Sequence, residues 1–250
     1  MSEISIRAEE LFHIGSFPVT NSLLLSIVAV LVLIVIGALL RKTLKPIPGK
    51  LQTIGEVFIE QLFTLMDAVF GDRRLSEKYL PVVATVFLFI LTSNWLGLLP
   101  LAPFGIHQIG ERGETVVPLF RSPASDLNFT VALAIVSVFA VNFLALLALG
   151  FKQHMSKFFT LKNPIFSFVG ILEFMSEFVK IISFSFRLFG NIFAGEVLLM
   201  IVGFLIPYVL PLPFMFLELF VGFIQAFIFS MLTLVFIAMA VSREGAHENS

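Results

Sequence analysis

PIFSFVGILEFMSEFVKIISFSFRLFGNIFAGEVLLMIVGFLI, residues 164–206, is the stretch on which the fold turns. Its 43 residues lie between Pro164 and Pro207. As a helix rising about 1.5 Å per residue they would extend roughly 64 Å. That is twice the roughly 30 Å hydrocarbon core of a bilayer. Such a helix must tilt steeply, bend or break. The stretch also carries Glu173, Glu177, Lys180, Arg187 and Glu196. Pro207, Pro211 and Pro213 divide it from a second long apolar helix, reaching Val241, which carries Glu218 and Gln225.

The rest of the chain is plainer. It has 250 residues, 58% apolar and 13% charged, with a mean hydropathy of +1.01. Soluble domains carry about a quarter charged residues, so the composition points to an integral membrane protein. It excludes a disordered chain, and a net charge of −1 argues against a nucleic-acid partner. The lack of cysteine removes thiol nucleophiles, thiolate metal sites and disulfides.

Three further stretches, 21–40, 82–101 and 129–151, are long enough to span and contain no charge. The second follows Pro81 and ends near Pro100 and Pro103. Ahead of the third, either Asp126 or Asn128 can cap a helix start. The first has an acidic segment ahead of it in place of a basic n-region, and no small-residue cleavage site follows, so it is not expected to be a signal peptide. Between the first two, Ile54, Val57, Phe58, Leu62, Leu65 and Met66 recur at roughly helical spacing, predicting an interfacial amphipathic helix over 51–70.

The expected fold is an all-α polytopic membrane protein with about five embedded helices in a single membrane domain, 1–250. Within it, 1–20 is an outer N-terminal segment, 21–163 holds three plain spans and the interfacial helix, and 164–242 holds the two long helices. Arg41, Lys42, Lys45 and Lys50 follow the first span, and Lys152, Lys157 and Lys162 follow the third. The connection from Pro103 to Asp126 has only Arg112 and Arg121, offset by acids. Positive-inside reasoning puts the basic loops in the cytoplasm, the N-terminus outside and the C-terminus inside. The absence of a convincing internal repeat disfavours an inverted-repeat transporter.

The three plain spans hold no charge, and the two long helices hold six. Ionisable groups at membrane depth cost about 2.5–3.5 kcal/mol each on insertion scales and by default mark an ion pathway or a partner. Arg187 stays protonated, so it can act as a fixed positive charge but not as a proton carrier. The bland alternative pairs it with Glu173 or Glu177 to lock helices together. Glu173, Lys180 and Arg187 are seven apart and form one stripe. Ser183, Gly190 and Ala194 share that face, where small residues admit a close neighbour. Glu196, nine residues past Arg187, points to the opposite side and can bind and release a proton. On the last helix Gly222, Gln225, Ala226, Phe229, Ser230 and Thr233 form a stripe that Glu218 joins. For these, ordinary helix–helix hydrogen bonding is the competing explanation.

The string Arg187-Leu188-Phe189-Gly190-Asn191-Ile192-Phe193-Ala194-Gly195-Glu196 closely resembles the subunit a family of F-type ATP synthases. The resemblance covers nearly the whole chain, through residues 93–100 (SNWLGLLP), 126–130 (DLNFT), 171–173 (ILE) and 225–229 (QAFIF), with Leu232 and Thr233. It implies a proton-translocating stator in the membrane sector of a rotary motor, with two long helices steeply tilted against a c-subunit ring. The family's stator arginine falls on Arg187, its outer half-channel acid on Glu196, the partner of that acid on Glu218, and the glutamine facing the arginine on Gln225. Asn191 and Asn94 match positions near the outer path, and Glu173, Lys180 and Ser183 match positions near the cytoplasmic path. Two departures stand out: Gly97 replaces an aspartate of some bacterial relatives, and Glu218 replaces a frequent histidine.

The resemblance further implies the c-ring, a subunit b peripheral stalk and the rest of the synthase as partners. It also implies the translocated proton, a bacterial plasma membrane, and a noncatalytic role. No cofactor or metal is expected, and the chain has no His-Glu-x-x-His, Gly-x-Ser-x-Gly or phosphate-binding glycine loop. The competing class is a self-contained ion or solute transporter using the same charges.

Overall fold

The computed structural model describes residues 9–15, 17–99, 105–110, 113–118, 121–151, 164–207 and 209–241. Arg112, Lys152, Lys157, Lys162, His154 and His247 lie outside the described residues.

Helix α1, Asn21–Thr43, starts where Thr20 Oγ1 accepts a hydrogen bond from the Leu23 N–H at 3.3 Å. It ends with Arg41 and Lys42 in the last turn, where the helix dipole favours cations. Helix α2, Lys50–Phe70, is the expected amphipathic helix, and it stops at Gly71, whose φ of 70° needs glycine. Of its apolar set, Leu62 and Met66 are buried in the chain, and Ile54, Val57 and Leu65 are left exposed. Arg73 closes the corner to the next helix through a 2.8 Å ion pair with Asp67.

Helix α3, Arg73–Gly97, begins before Pro81 instead of after it. Asp72 supplies the cap, accepting from the Arg74 N–H at 2.9 Å. Pro81 removes one intrahelical donor. Thr85 Oγ1 donates to the carbonyls of Pro81 at 2.7 Å and Val82 at 3.0 Å. The helix therefore runs through the proline. For helix α4, Leu127–Leu149, Asp126 is the cap: its Oδ1 accepts from the Asn128 N–H at 3.0 Å. Its Oδ2 accepts from Ser22 Oγ at 2.9 Å, which ties the starts of α1 and α4 together. Gly150 ends α4 at a φ of 80°, so Phe151 falls beyond the helix.

Helix α5, Pro164–Leu205, is a continuous helix of 42 residues. Its length must therefore be accommodated by tilt or curvature, because it does not break. Helix α6, Pro211–Val241, has prolines at its first and third positions, where missing N–H groups cost no intrahelical bond. Five of these helices, all but α2, are long and apolar enough to cross a membrane. Two short antiparallel hairpins add to the all-helical plan. One joins β1, Glu10–Ile14, with β2, Phe17–Thr20, ahead of α1; the other joins β3, Gly105–Gly110, with β4, Gly113–Pro118, after α3.

Helix α6 is the central element. It packs against α2, α3, α4 and α5, and its most apolar window is 50% buried, against 17% to 28% for the other four spans. The other helices leave large apolar side chains outward, among them Ile34, Phe139, Leu147 and Phe174, as expected of surfaces solvated by lipid. The chain is an integral membrane protein. Where α3, α4, α5 and α6 meet, Phe184 is 2% exposed, with its ring 4.5 Å from that of Phe229 and 5.6 Å from that of Phe236. Truncating it leaves a void that the two α6 rings cannot refill. We expect Phe184→Ala to cost about 3 kcal/mol, measured by unfolding the purified chain in mixed detergent micelles.

Candidate functional site

The polar groups of α5 and α6 gather around two separate cavities. The larger, about 320 Å³, lies where α3 ends and α6 begins. Asn94, Glu196 and Glu218, from three different helices, all line it, so the structure brings these sequence-predicted residues together. Glu218 is 7% exposed, and its Oε1 has no hydrogen-bond partner among the described residues; the same holds for Glu196 Oε2 and Asn94 Oδ1. A buried polar atom left without a partner carries a desolvation cost of about 1–3 kcal/mol. The three residues line a space large enough to hold water.

Glycines set how closely the walls approach. A Cβ on Gly222 would stand 3.2 Å from Asn94 Cβ, and the Asn94 amide donates to the Gly222 carbonyl at 3.2 Å. Trp95 Nε1 donates to the Leu219 carbonyl at 3.1 Å, fixing α3 on α6 one turn earlier. A Cβ on Gly195 would land on the Glu218 carboxyl group, so α5 leaves that carboxyl its place only by having glycine there. A Cβ on Gly97 would come within 2.6 Å of Ser122 Cβ and 2.8 Å of its Cα. The departure at Gly97 thus has a physical reason: Ser122 occupies the space where a side chain would extend.

One residue of this site is not foreshadowed in the sequence. Arg121, counted there only as a loop charge, has its Nε 3.2 Å from Glu196 Oε1, and the same Nε donates to Ser125 Oγ at 3.1 Å. It lies in a connection, so no periodicity signals it. Just outside the spans, Glu9 precedes β1, and its backbone carbonyl accepts from the Asn21 N–H at 3.1 Å. Burial raises the Glu9 carboxyl above its usual range, Arg121 pulls it back, and Glu196 adds to the rise.

Arg187 belongs to neither cavity. Its Nη2 donates to Ser183 Oγ at 3.3 Å, and no carboxylate stands within ion-pair distance of it among the described residues. Ser183 therefore accompanies the arginine and does not line the smaller cavity described below. Ser183, Gly190, Asn191 and Ala194, on the arginine's side of α5, are exposed in the isolated chain. One turn on, Asn191 Nδ2 donates to Gln225 Oε1 at 2.9 Å, linking α5 to the buried stripe of α6.

The second cavity, about 70 Å³, lies toward the other end of α5 and α6 and is lined by Glu173, Glu177, Lys180 and Asn142 among others. Lys180 Nζ sits 2.8 Å from Glu177 Oε1 and 4.7 Å from the centre of the Phe236 ring. Asn142 Nδ2 donates to Glu177 Oε2 at 3.0 Å. Glu177 is thus held by Lys180 and Asn142, not by Arg187. Glu177 and Asn142 are members of this cluster that the sequence reading left out of its path. Their signals were an acid inside an apolar helix and an asparagine in an otherwise plain span.

Fold and charge placement define a polytopic helical membrane protein whose two long helices carry polar side chains at helix interfaces and, around Arg187, on an uncovered side. A family model described as ATP synthase A chain matches residues 22–238. Proteins named ATP synthase subunit a are similar over most of the chain. That of Moorella thermoacetica is 32% identical over 93% of this chain and 96% of its own. That of Gloeobacter violaceus is 34% identical over 88% and 83%, and that of Campylobacter jejuni strain RM1221 is 30% identical over 94% and 91%. The chain belongs to the ATP synthase A chain family.

The two glycine contacts predict different costs for the same substitution. At Gly97 the obstacle is backbone and a short side chain, so Gly97→Ala should cost about 1–3 kcal/mol. At Gly195 the obstacle is the end of a flexible side chain, so Gly195→Ala should cost less than about 1 kcal/mol and displace the Glu218 carboxyl. Unfolding of both variants in mixed detergent micelles tests the ranking; equal costs would contradict it.

Proposed function

We propose that this chain is the proton-translocating stator subunit of the Fo membrane sector of an ATP synthase. It provides two offset half-channels to a rotating c-ring and contacts that ring through Arg187. The observation that carries this reading is the order of groups along α5. The Glu173–Glu177–Lys180 cavity, the arginine and the Glu196–Glu218 cavity follow one another, with Arg187 about 10 Å from Lys180 and about 14 Å from Glu196 along the axis. The two cavities share no lining residue. Arg187 stands between them on a side of the helix that this chain leaves uncovered.

The mechanism follows from what each group can hold. The outer cavity exchanges a proton between water and Glu196, with Glu218 and Asn94 continuing the path. A c-subunit carboxyl facing this cavity takes up the proton and leaves into lipid. Returning carboxyls release theirs toward Glu173, Glu177 and Lys180 and arrive deprotonated at Arg187. At about 4 Å and an effective dielectric of about 20, the two charges attract by about 4 kcal/mol. That attraction offsets part of the cost of an ionised carboxyl at membrane depth. The arginine never releases its own proton, so it blocks a direct leak between the cavities. A lasting ion pair would stall rotation, so the encounter is brief and bridged by water. Asn191 and Gln225, bonded to each other, hold α5 and α6 in register beside it.

On this reading the partners are the c-ring, the subunit b stalk and the remaining synthase subunits. The site is a bacterial inner membrane with the N-terminus outside. The domain layout is a single unit, 1–250, whose last part, 164–242, forms the path.

Arg187→Ala in the assembled synthase should abolish proton-driven ATP synthesis, with the chain's membrane level unchanged by immunoblot; synthesis at the normal rate would refute the stator role. Proton flux through liposomes holding the purified chain alone should stay at background, whereas sustained flux without c subunits would identify a self-contained transporter.

A further inference from the structure

We infer that Arg121 is a positioning residue of the outer path, one that fixes the Glu196 carboxylate at the cavity rim. This inference rests on the proposed proton path and adds a residue outside the intramembrane helices.

Three observations carry it. First, Arg121 is anchored: its side chain is 9% exposed, and its Nε donates to Ser125 Oγ, which itself donates to the Ser122 carbonyl at 2.9 Å. Ser122 precedes, and Ser125 ends, a one-turn 3₁₀ segment, Pro123–Ser125, that is buried and packs against α1, α3, α4 and α5. The guanidinium is therefore placed by the fold and does not wander with its loop. Second, Nε stands 3.2 Å from Glu196 Oε1, while the cavity contains Glu218, a second acid approaching from α6. Two carboxyls facing one cavity repel when both are ionised, and a fixed cation beside one of them gives them different tasks. Glu196, 33% exposed and paired, is held at the rim, where it meets water; Glu218, 7% exposed and without an ion pair among the described residues, lies further in. Third, Glu9 lies in the field of both Arg121 and Glu196. Its carbonyl holds the first residue of α1, and the Asn21 side-chain amide lies 3.5 Å from its Oε2. It falls outside the family-matched residues 22–238. The charged groups lining the cavity are thus Arg121 from the connection, Glu196 from α5 and Glu218 from α6, with Glu9 before β1 in their field, while α3 brings the uncharged Asn94.

The test uses the assembled synthase in proteoliposomes, driven by an imposed proton gradient, with Arg187→Ala as a control. Losing a charge-assisted contact that sets the geometry of Glu196 should slow synthesis by Arg121→Gln about tenfold, and Arg121→Lys should recover at least about half the wild-type rate. If Arg121 acts through Glu196, adding Arg121→Gln to Glu196→Gln should slow synthesis by less than about a further twofold. A wild-type rate in Arg121→Gln, a lysine variant no faster than the glutamine variant, or fully multiplied losses in the double variant would overturn the inference. Should Arg121→Gln fail to assemble, the lysine variant decides: its smaller loss must vanish in the Glu196→Gln background, and persistence there counts against it. If Arg187→Ala retains synthesis, the proton-path reading itself fails; if that control is dead while Arg121→Gln is normal, only the role of Arg121 fails.

Discussion

A helix twice as long as the membrane is thick, with ionisable residues at its middle and on either side of it, constrains everything else in this protein. Helix α5 runs through 42 residues without a break, so its charges cannot all find water at one surface. Each must be met by a side chain of a neighbouring element or by a cavity. On one side of the middle Lys180 and Asn142 meet Glu177; on the other Arg121 meets Glu196. The middle is the exception. Arg187 receives a neutral hydroxyl from its own helix and no carboxylate among the described residues. An arginine at membrane depth in that state is costly, and on the proposed reading the cost is relieved by a carboxyl of another chain.

Helix α6 bears the complementary constraint. To sit at the centre of four helices it must bury Glu218, Gln225, Ser230 and Thr233 along with its apolar residues. In lipid there is no hydrophobic force between helices, so close packing and interhelical hydrogen bonds hold them. The small residues are therefore structural and functional at once. Gly222 lets Asn94 approach α6, and Gly195 lets α6 keep an acid against α5. Larger residues at either place would separate the helices or push the acid out of the cavity.

The spans and the polar residues of α5 and α6 were legible in the sequence because a bilayer demands long uncharged runs and makes every exception conspicuous. Arg187, Glu196 and Glu218 stand out by that contrast, and the ten-residue string from Arg187 to Glu196 carries the family resemblance. What the sequence hid depends on contacts without a period. Arg121 reaches its acid from a loop across 75 residues of chain, and loop charges elsewhere are mostly solvated. Pro81 reads as a boundary, yet the helix has its cap at Asp72 and passes through the proline. Glu177 was visible as a charge, but its partners were not, since Asn142 meets it from another helix. The two hairpins were missed because their strands are short and lie in segments read only for their charge.

The two acids of the larger cavity show why placement, not acidity, separates functions in a membrane. Glu196 and Glu218 are the same residue type, facing one space from adjacent helices. One is partly exposed with a guanidinium at 3.2 Å; the other is buried, with Gly195 across from it and one oxygen without a hydrogen-bond partner among the described residues. A carboxylate next to a fixed cation loses less by staying ionised than one surrounded by apolar walls. The environments therefore differ in kind, one partly exposed beside a cation and the other buried. Exchanging Glu218 for a histidine would keep a titratable group at the buried position. On the proposed reading, removing Arg121 would instead leave Glu196 and Glu218 facing one cavity with no fixed cation beside either, so the difference between the two acids depends in part on a residue in neither long helix.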